Sequence, residues 1–319
     1  MKCLITGASG FVGYYLATHL ARDLGFTVYA TKLPEEPTPE IPAKVLCMNV
    51  LERASIRAVL EEVRPDGIFH LAAQSSVAFS WREPRRTVDI NIGGCVNLLE
   101  EARGMERPPR VLLVGSSDEY GWAVTGEAPV DEETATRPGS VYALTKVAQN
   151  MLGAIYAEAY NLDILMTRAF NHIGPGQSPG FVVADFCRQI AMIEAGKSEP
   201  IIRVGNIDVK RDFTDVRDVV RAYGALMVSG RRGETYNIGS GQAVSIAEIL
   251  EALLALSSVP IRVERDPARY RPSDLPVMEA DTRRIRALTG WAPEIPLADT
   301  LRETLEDWRK KVGGAGLDV

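Results

Sequence analysis

Up to about residue 168 the chain repeats one pattern: a short apolar run, then a stretch whose apolar residues recur at helical spacing. The runs are KCLIT, TVYAT, KVLCM, GIFHL, RVLLV and LDILMT, with helical stretches such as FVGYYLATHLARDL and SIRAVLEEV between them. Strand-sized runs alternating with amphipathic helices predict an α/β fold, a doubly wound parallel sheet wrapped by helices. Beyond Phe170 the rhythm loosens. NHIGPGQSPG, rich in Gly, Pro and Asn, predicts a loop, and the following FVVADFCRQIAMIEAG predicts a helix. ETYNIGSG then reads as one more strand and SIAEILEALLALS as one more helix. The expected division is a first α/β unit over 1–168 and a smaller, interleaved α/β unit over 169–319, with a segment about 213–240 returning to the first.

Composition narrows the function classes. With 319 residues, 46% of them hydrophobic, the chain can bury a large core. A net charge of −6 argues against a nucleic-acid partner, which usually meets an excess of Lys and Arg. No apolar stretch approaches the roughly 20 residues of a membrane span, so no membrane partner is expected. MKCLITG enters a strand at once, without the pattern of a signal peptide, which predicts a cytoplasmic location. Cys3, Cys47, Cys95 and Cys187 show no paired spacing and there are three histidines, so no metal site is expected.

Directly after the first run, TGASGFVG places Gly7, Gly10 and Gly13 at the start of a helical stretch. Glycines there permit a tight turn and close backbone approach, so that the helix N-terminus can hold a pyrophosphate. In a dinucleotide site an acidic residue about 20 positions onward binds the adenine ribose. The second run instead ends on Thr31 and Lys32. A lysine there suits a 2′-phosphate, which predicts NADPH ahead of NADH; the plainer reading is an ordinary solvated lysine at a strand end.

SVYALTK sets Tyr142 and Lys146 four residues apart on a predicted helix, stacking them on one face. An isolated tyrosine titrates near ~10, and a nearby ammonium would favour its phenolate. The hydroxyls and carboxylates of VGSSDEY, Val114–Tyr120, follow the fifth apolar run directly. They read either as a polar turn or as the rim of an active site.

Taken together these motifs resemble the extended short-chain dehydrogenases/reductases, in their nucleotide-sugar branch, over essentially the whole chain. The family's TGxxGFxG corresponds to TGASGFVG, its HLAA to His70–Ala73, its YxxxK to Tyr142 and Lys146, and its hydroxyl residue to Ser116. The resemblance implies a Rossmann domain holding NAD(P) through Gly7, Gly10, Phe11, Val12, Gly13, Lys32, Asn49, Val50, Leu71, Ala72 and Ala73. Asn49 stands where the family usually has an adenine-facing Asp. It further implies Lys146 on the nicotinamide ribose, and Ser116 with Tyr142 on the sugar oxygen.

In the second half, RAFNHIGPGQ, GFVVADFCRQIA, VGNIDVKRDFTDVRDV and RYRPSDLP resemble the GDP-sugar members, most closely the GDP-4-keto-6-deoxy-D-mannose reductases. The implied substrate is a GDP-sugar, with Ser75, Ser117, Asn171, Phe181, Val182, Arg211, Arg271 and Asp274 as its binding residues. Arginine forks suit the pyrophosphate of such a ligand. Asp118 matches the position of a dehydratase carboxylate that does acid/base work on the sugar, so a GDP-mannose 4,6-dehydratase, or another nucleotide-sugar epimerase/dehydratase, is the alternative reading. As a shorter carboxylate than Glu, Asp118 favours reduction, and Glu119 would point elsewhere if the turn is extended. A non-catalytic dinucleotide-sensing module ranks below both, because Ser116, Tyr142 and Lys146 are all present. The resemblance also implies a homodimer, formed through the helices near Thr87–Ala102 and Val141–Tyr160.

Overall fold

A strand covered on both faces has no solvent side to alternate with, so it reads as a near-continuous apolar run. Six such runs form β1 (Lys2–Thr6), β2 (Thr27–Lys32), β3 (Lys44–Cys47), β4 (Gly67–His70), β5 (Arg110–Ser116) and β6 (Ile164–Ala169). The computed structural model describes residues 1–125, 129–266, 268 and 275–314. Further along come β7 (Asn171–Ile173), β8 (Ile201–Val204), β9 (Lys210–Asp215), β10 (Thr235–Ile238), β11 (Ala243–Ser245), β12 (Arg262–Arg265) and β13 (Val277–Met278). The central sheet has the order β3-β2-β1-β4-β5-β6-β10, and every adjacent pair is parallel. This is the expected doubly wound α/β sheet.

The helices are α1 (Phe11–Arg22), α2 (Arg53–Val63), α3 (Val77–Arg82), α4 (Pro84–Val88), α5 (Gly94–Arg103), α6 (Val141–Ala159), α7 (Val182–Glu194), α8 (Val216–Ser229), α9 (Ile246–Ala255), α10 (Arg283–Thr289) and α11 (Leu297–Gly313). Successive strand residues face opposite sides. Cys3 and Ile5 therefore join Leu16, Leu20 and Val219 in a core under α1 and α8, while Leu4 joins Ile56, Leu60, Leu98 and Leu99 under α2 and α5. Each fully buried aliphatic side chain contributes about 1.5–3 kcal/mol. A third core lies among α7, α9, α11 and β8.

NHIGPGQSPG opens on a strand rather than a loop: β7 runs beside β9, in a small sheet ordered β11-β9-β13. Three residues carry too little pattern to read as a strand; the pairing with Phe213–Asp215 makes them one. From β9 the chain passes through Asp215, whose carboxylate caps α8, and α8 packs against α1 before β10 completes the edge of the large sheet.

Candidate active site

The chain leaves β1 toward β2 on one side, and β4 lies on the other, so a crevice opens beyond the C-terminal ends of β1 and β4. Gly7 follows β1 with φ +69°, and a Cβ there would stand 2.7 Å from the Ala72 Cα. The Thr6 hydroxyl oxygen accepts from the Ala72 N–H at 3.2 Å and lies 2.9 Å from His70 Nδ1, pinning the HLAA turn against the glycine turn. Burial pushes His70 down to about 3, so the ring is neutral. A Cβ at Gly13 would lie 2.4 Å from the Ala8 carbonyl oxygen, so the helix can start this close to the turn only on glycine.

Gly10 begins α1 without a side-chain cap, and the first turn holds no acid. Its N–H groups and positive end suit an anion, and the pyrophosphate of a dinucleotide fits this cradle. Phe11 opens the helix, its ring stacked 6.3 Å from His172, and Val12 packs on the adjoining core. At the end of β2, the Lys32 ammonium donates to the carbonyls of Leu33 at 3.1 Å, Pro34 at 3.3 Å and Glu36 at 2.6 Å. Asn49 closes a local turn: its Oδ1 accepts from Leu51 N–H and its Nδ2 donates to Glu52. Val50 is buried with its carbonyl held by Asn97, and Leu71 and Ala73 flank Ala72, half-buried, at the exit of β4.

Ser116 ends β5, and a single 3-10 turn over Ser117–Glu119 follows it. Ser116 Oγ accepts from Asp118 N–H at 3.2 Å, and Glu119 Oε1 accepts from Ser116 N–H at 2.9 Å, a reciprocal capping box. The turn is not extended. Glu119 folds back beneath it, fully buried, and its other oxygen accepts from Arg168 Nε at 3.0 Å. Burial pushes Glu119 up to about 7 against the pull of Arg168. A Cβ on Gly115 would come within 2.4 Å of the Glu119 carboxylate, so glycine makes room for it.

Tyr142 and Lys146 project from α6, which Ser140 caps by accepting from Ala143 N–H. The Ser116 side chain acts on the Tyr142 phenol and works to lower it. The phenol is nonetheless held well above the ordinary tyrosine range, first by burial and then by the Asp118 charge. Desolvation thus pushes the phenol in the direction opposite to the one a nearby ammonium would favour. Burial pushes Lys146 down to about 8, with Glu119 opposing, and its Nζ donates to the Val114 carbonyl at 2.7 Å and to Gln149 at 3.2 Å.

Among the expected sugar-nucleotide residues, Ser117 is buried in the 3-10 turn, and Ser75 is exposed beyond β4. Asn171 and Arg211 come onto one small sheet, on β7 and β9. Arg211 Nη1 donates to the carbonyls of Lys210 at 2.8 Å and Leu275 at 2.7 Å. Phe181 caps the start of α7 with its ring partly exposed, and Val182 is the first helical residue. Arg271 and Asp274 lie outside the described residues.

Several residues that hold this site had no such role among the expectations. Glu119 and Arg168 form its floor; the spacing of Ser116 and Glu119, S-x-x-E, was the signal for it. Asn91 sits in a π-helical turn, Asp89–Gly93, that joins α4 to α5. Its amide donates to Thr145 at 2.9 Å and to the Gln74 carbonyl at 3.0 Å, tying α6 to the loop after β4. Ser80 accepts from Tyr142 N–H at 3.2 Å. No local pattern marks either.

Residues 4–304 match the sequence model of the family described as GDP-mannose 4,6 dehydratase. The chain belongs to this family. It is 36% identical over 311 residues to the GDP-6-deoxy-D-mannose reductase of Pseudomonas aeruginosa, covering 98% of each chain. The structure of RMD from Pseudomonas aeruginosa complexed with NADPH superposes with a TM-score of 0.86 at 34% identity, over 97% of this chain and 99% of that one. The UDP-glucose 4-epimerase of Thermus thermophilus, complexed with NAD, gives a TM-score of 0.86 at 26% identity, over 97% and 99%. The resemblance to extended short-chain dehydrogenases/reductases, and the NAD(P) cofactor it implies, are borne out by these relatives.

Proposed function

We propose that this chain reduces the C4 ketone of GDP-4-keto-6-deoxy-D-mannose to GDP-6-deoxy-D-mannose (GDP-D-rhamnose). The chain is an NAD(P)-dependent nucleotide-sugar oxidoreductase; the sugar and the direction are the proposal. The observation that carries the chemistry is a buried Tyr142 phenol, held in its protonated form, on which the Ser116 side chain at the end of β5 acts. The choice of substrate rests on the relative that is 36% identical and bears the reductase name.

A reduced nicotinamide, when bound, supplies the hydride. The residues that would hold its dinucleotide are the turn of Gly7, Gly10 and Gly13, Phe11 and Val12, Asn49 and Val50, the stretch Leu71–Ala73, and Lys146. Tyr142 gives its proton to the ketone oxygen as negative charge develops there, and Ser116 donates a hydrogen bond to the same oxygen. Lys146, one turn along α6, puts a positive charge near the tyrosinate left behind. Ser75, Ser117, Asn171, Phe181, Val182, Arg211, Arg271 and Asp274 are proposed to hold the GDP-sugar, with 169–319 as its main seat and 1–168 plus about 213–240 as the dinucleotide's. A cytoplasmic location goes with this reading, since the exposed Cys47 thiol suits a reducing compartment. A homodimer goes with it too, through α6 and the helical rod 84–103.

A second reading has one observation behind it. The Asp118 charge raises the Tyr142 phenol, so it is within electrostatic reach of the group proposed to face the sugar, and a dehydratase needs an extra acid or base there. Paired incubations separate the two. NADH or NADPH oxidised with the keto sugar, and GDP-mannose left intact, is the expected result. Conversion of GDP-mannose to the keto sugar with no net cofactor use would mean dehydration. Tyr142→Phe should lower kcat by at least about 100-fold while leaving dinucleotide binding unchanged, since it removes the general acid; retention of most of kcat would sink its role.

A further inference from the structure

The turn after β2 presents a carboxylate to the dinucleotide cradle. Glu36 reaches back four residues beyond the strand end: its Oε2 accepts from the Ser9 hydroxyl of the glycine turn at 2.9 Å and from Leu33 N–H at 2.9 Å. The Lys32 ammonium lies on the other side of the same turn, taken up by the carbonyls of Leu33, Pro34 and Glu36. Glu36 N–H closes the turn onto the Leu33 carbonyl at 3.1 Å. Lysine and glutamate have therefore exchanged the places that the strand-end position alone predicts. The cation braces the backbone, and the anion faces Ser9.

Two further features bear on what this carboxylate meets. The segment 33–43 carries Glu35, Glu36 and Glu40 and no lysine or arginine, so it holds no guanidinium to fork a 2′-phosphate. It also carries Pro34, Pro37, Pro39 and Pro42, whose fixed φ angles narrow the turn's choice of conformations. In a doubly wound fold the adenine ribose lies beside the glycine turn, at the end of β2, where an acidic side chain accepts from the 2′-hydroxyl. A 2′-phosphate at the same place would meet a like charge.

We propose that Glu36, set by its bond to Ser9 and by the Lys32 brace, is the coenzyme-selecting residue of this chain and makes it prefer NADH to NADPH. The inference rests on the NAD(P) reading above. Its test uses binding alone, so that the identity of the sugar plays no part. The purified full-length chain is titrated with NADH and with NADPH by dinucleotide fluorescence, and with ADP and 2′,5′-ADP by calorimetry. NADH and ADP should bind tighter than their 2′-phosphorylated counterparts by about tenfold or more, the size of one like-charge contact near a surface. Glu36→Gln should tighten NADPH by about the same factor and change NADH little, narrowing the ratio. Glu35→Gln, the same loss of charge on the exposed neighbouring residue, should leave the ratio as it is. Equal or tighter NADPH binding by the native chain would overturn the proposal, as would an unmoved ratio in Glu36→Gln or an equal shift in Glu35→Gln. Binding of none of the four would instead overturn the NAD(P) reading, and this inference with it.

Discussion

At the scale of single residues, the site is governed by burial more than by pairing. Lys146 is 4% exposed and donates to a carbonyl and an amide oxygen, neither of them an anion. Desolvation lowers it to about 8, and the Glu119 charge beneath the turn resists that fall. The sign for activity follows. Below about 8 Lys146 is charged and favours the tyrosinate that proton donation leaves; above it that support fades, so kcat/KM for ketone reduction should fall as pH rises through about 8. Removing the Glu119 charge removes the strongest attraction that holds the proton on Lys146, so in Glu119→Gln the falling limb should move to lower pH. The pH dependence of kcat/KM in both proteins is the measurement. A limb that stays in place would show that another group sets it.

At the scale of elements, the glycine turn and α1 act as one device, and its glycines do different work. Gly7 is in the left-handed region and within 2.7 Å of Ala72 for any added Cβ, so Gly7→Ala should cost about 2 kcal/mol or more and be visible as a lower Tm. Gly10 has φ −76° and ψ 166°, ordinary for alanine, and a Cβ there would meet only the Gly7 carbonyl oxygen at 3.5 Å. Gly10→Ala should therefore leave the stability within about 1 kcal/mol of the native chain, with little change in Tm, and weaken dinucleotide binding, because the methyl would stand where the pyrophosphate approaches. A Gly10→Ala chain that binds the dinucleotide undiminished would remove the cradle from the argument.

The same element shows what a sequence can and cannot carry. KCLIT, the glycine spacing and the apolar residues Leu16, Ala17 and Leu20 are all local, and β1, the turn and α1 were legible from them. β7, by contrast, exists because β9 lies beside it, and the π turn at Asp89–Gly93 shows in no periodicity. Tyr142, Lys146 and Ser116 were legible as a pattern, while the burial that keeps the phenol protonated depends on α6 closing over β5. Glu36 was missed for a related reason. The reading looked for an acid at the strand end, and the chain supplies one from a turn folded back onto Ser9.

At the scale of the whole molecule, α6 faces two ways. Tyr142, Lys146, Gln149 and Gly153 lie on its buried side, against β5 and β6. Its outer side carries Leu144, Met151 and Ile155, which are 50%, 60% and 54% exposed and recur at helical spacing. The proposed homodimer would cover this stripe, since a second copy of the chain offers the same stripe, as a two-fold contact requires. Light scattering of the native chain should give twice the mass of the monomer, 34.9 kDa. Met151→Glu puts a charge at the most exposed position of the stripe without touching the buried side, so it should yield a monomer at micromolar concentration. Because the helix that carries the stripe also carries Tyr142 and Lys146, the monomer should also lose part of its kcat, with dinucleotide affinity kept. A native chain that scatters as a monomer would end the dimer proposal and leave the catalytic one standing.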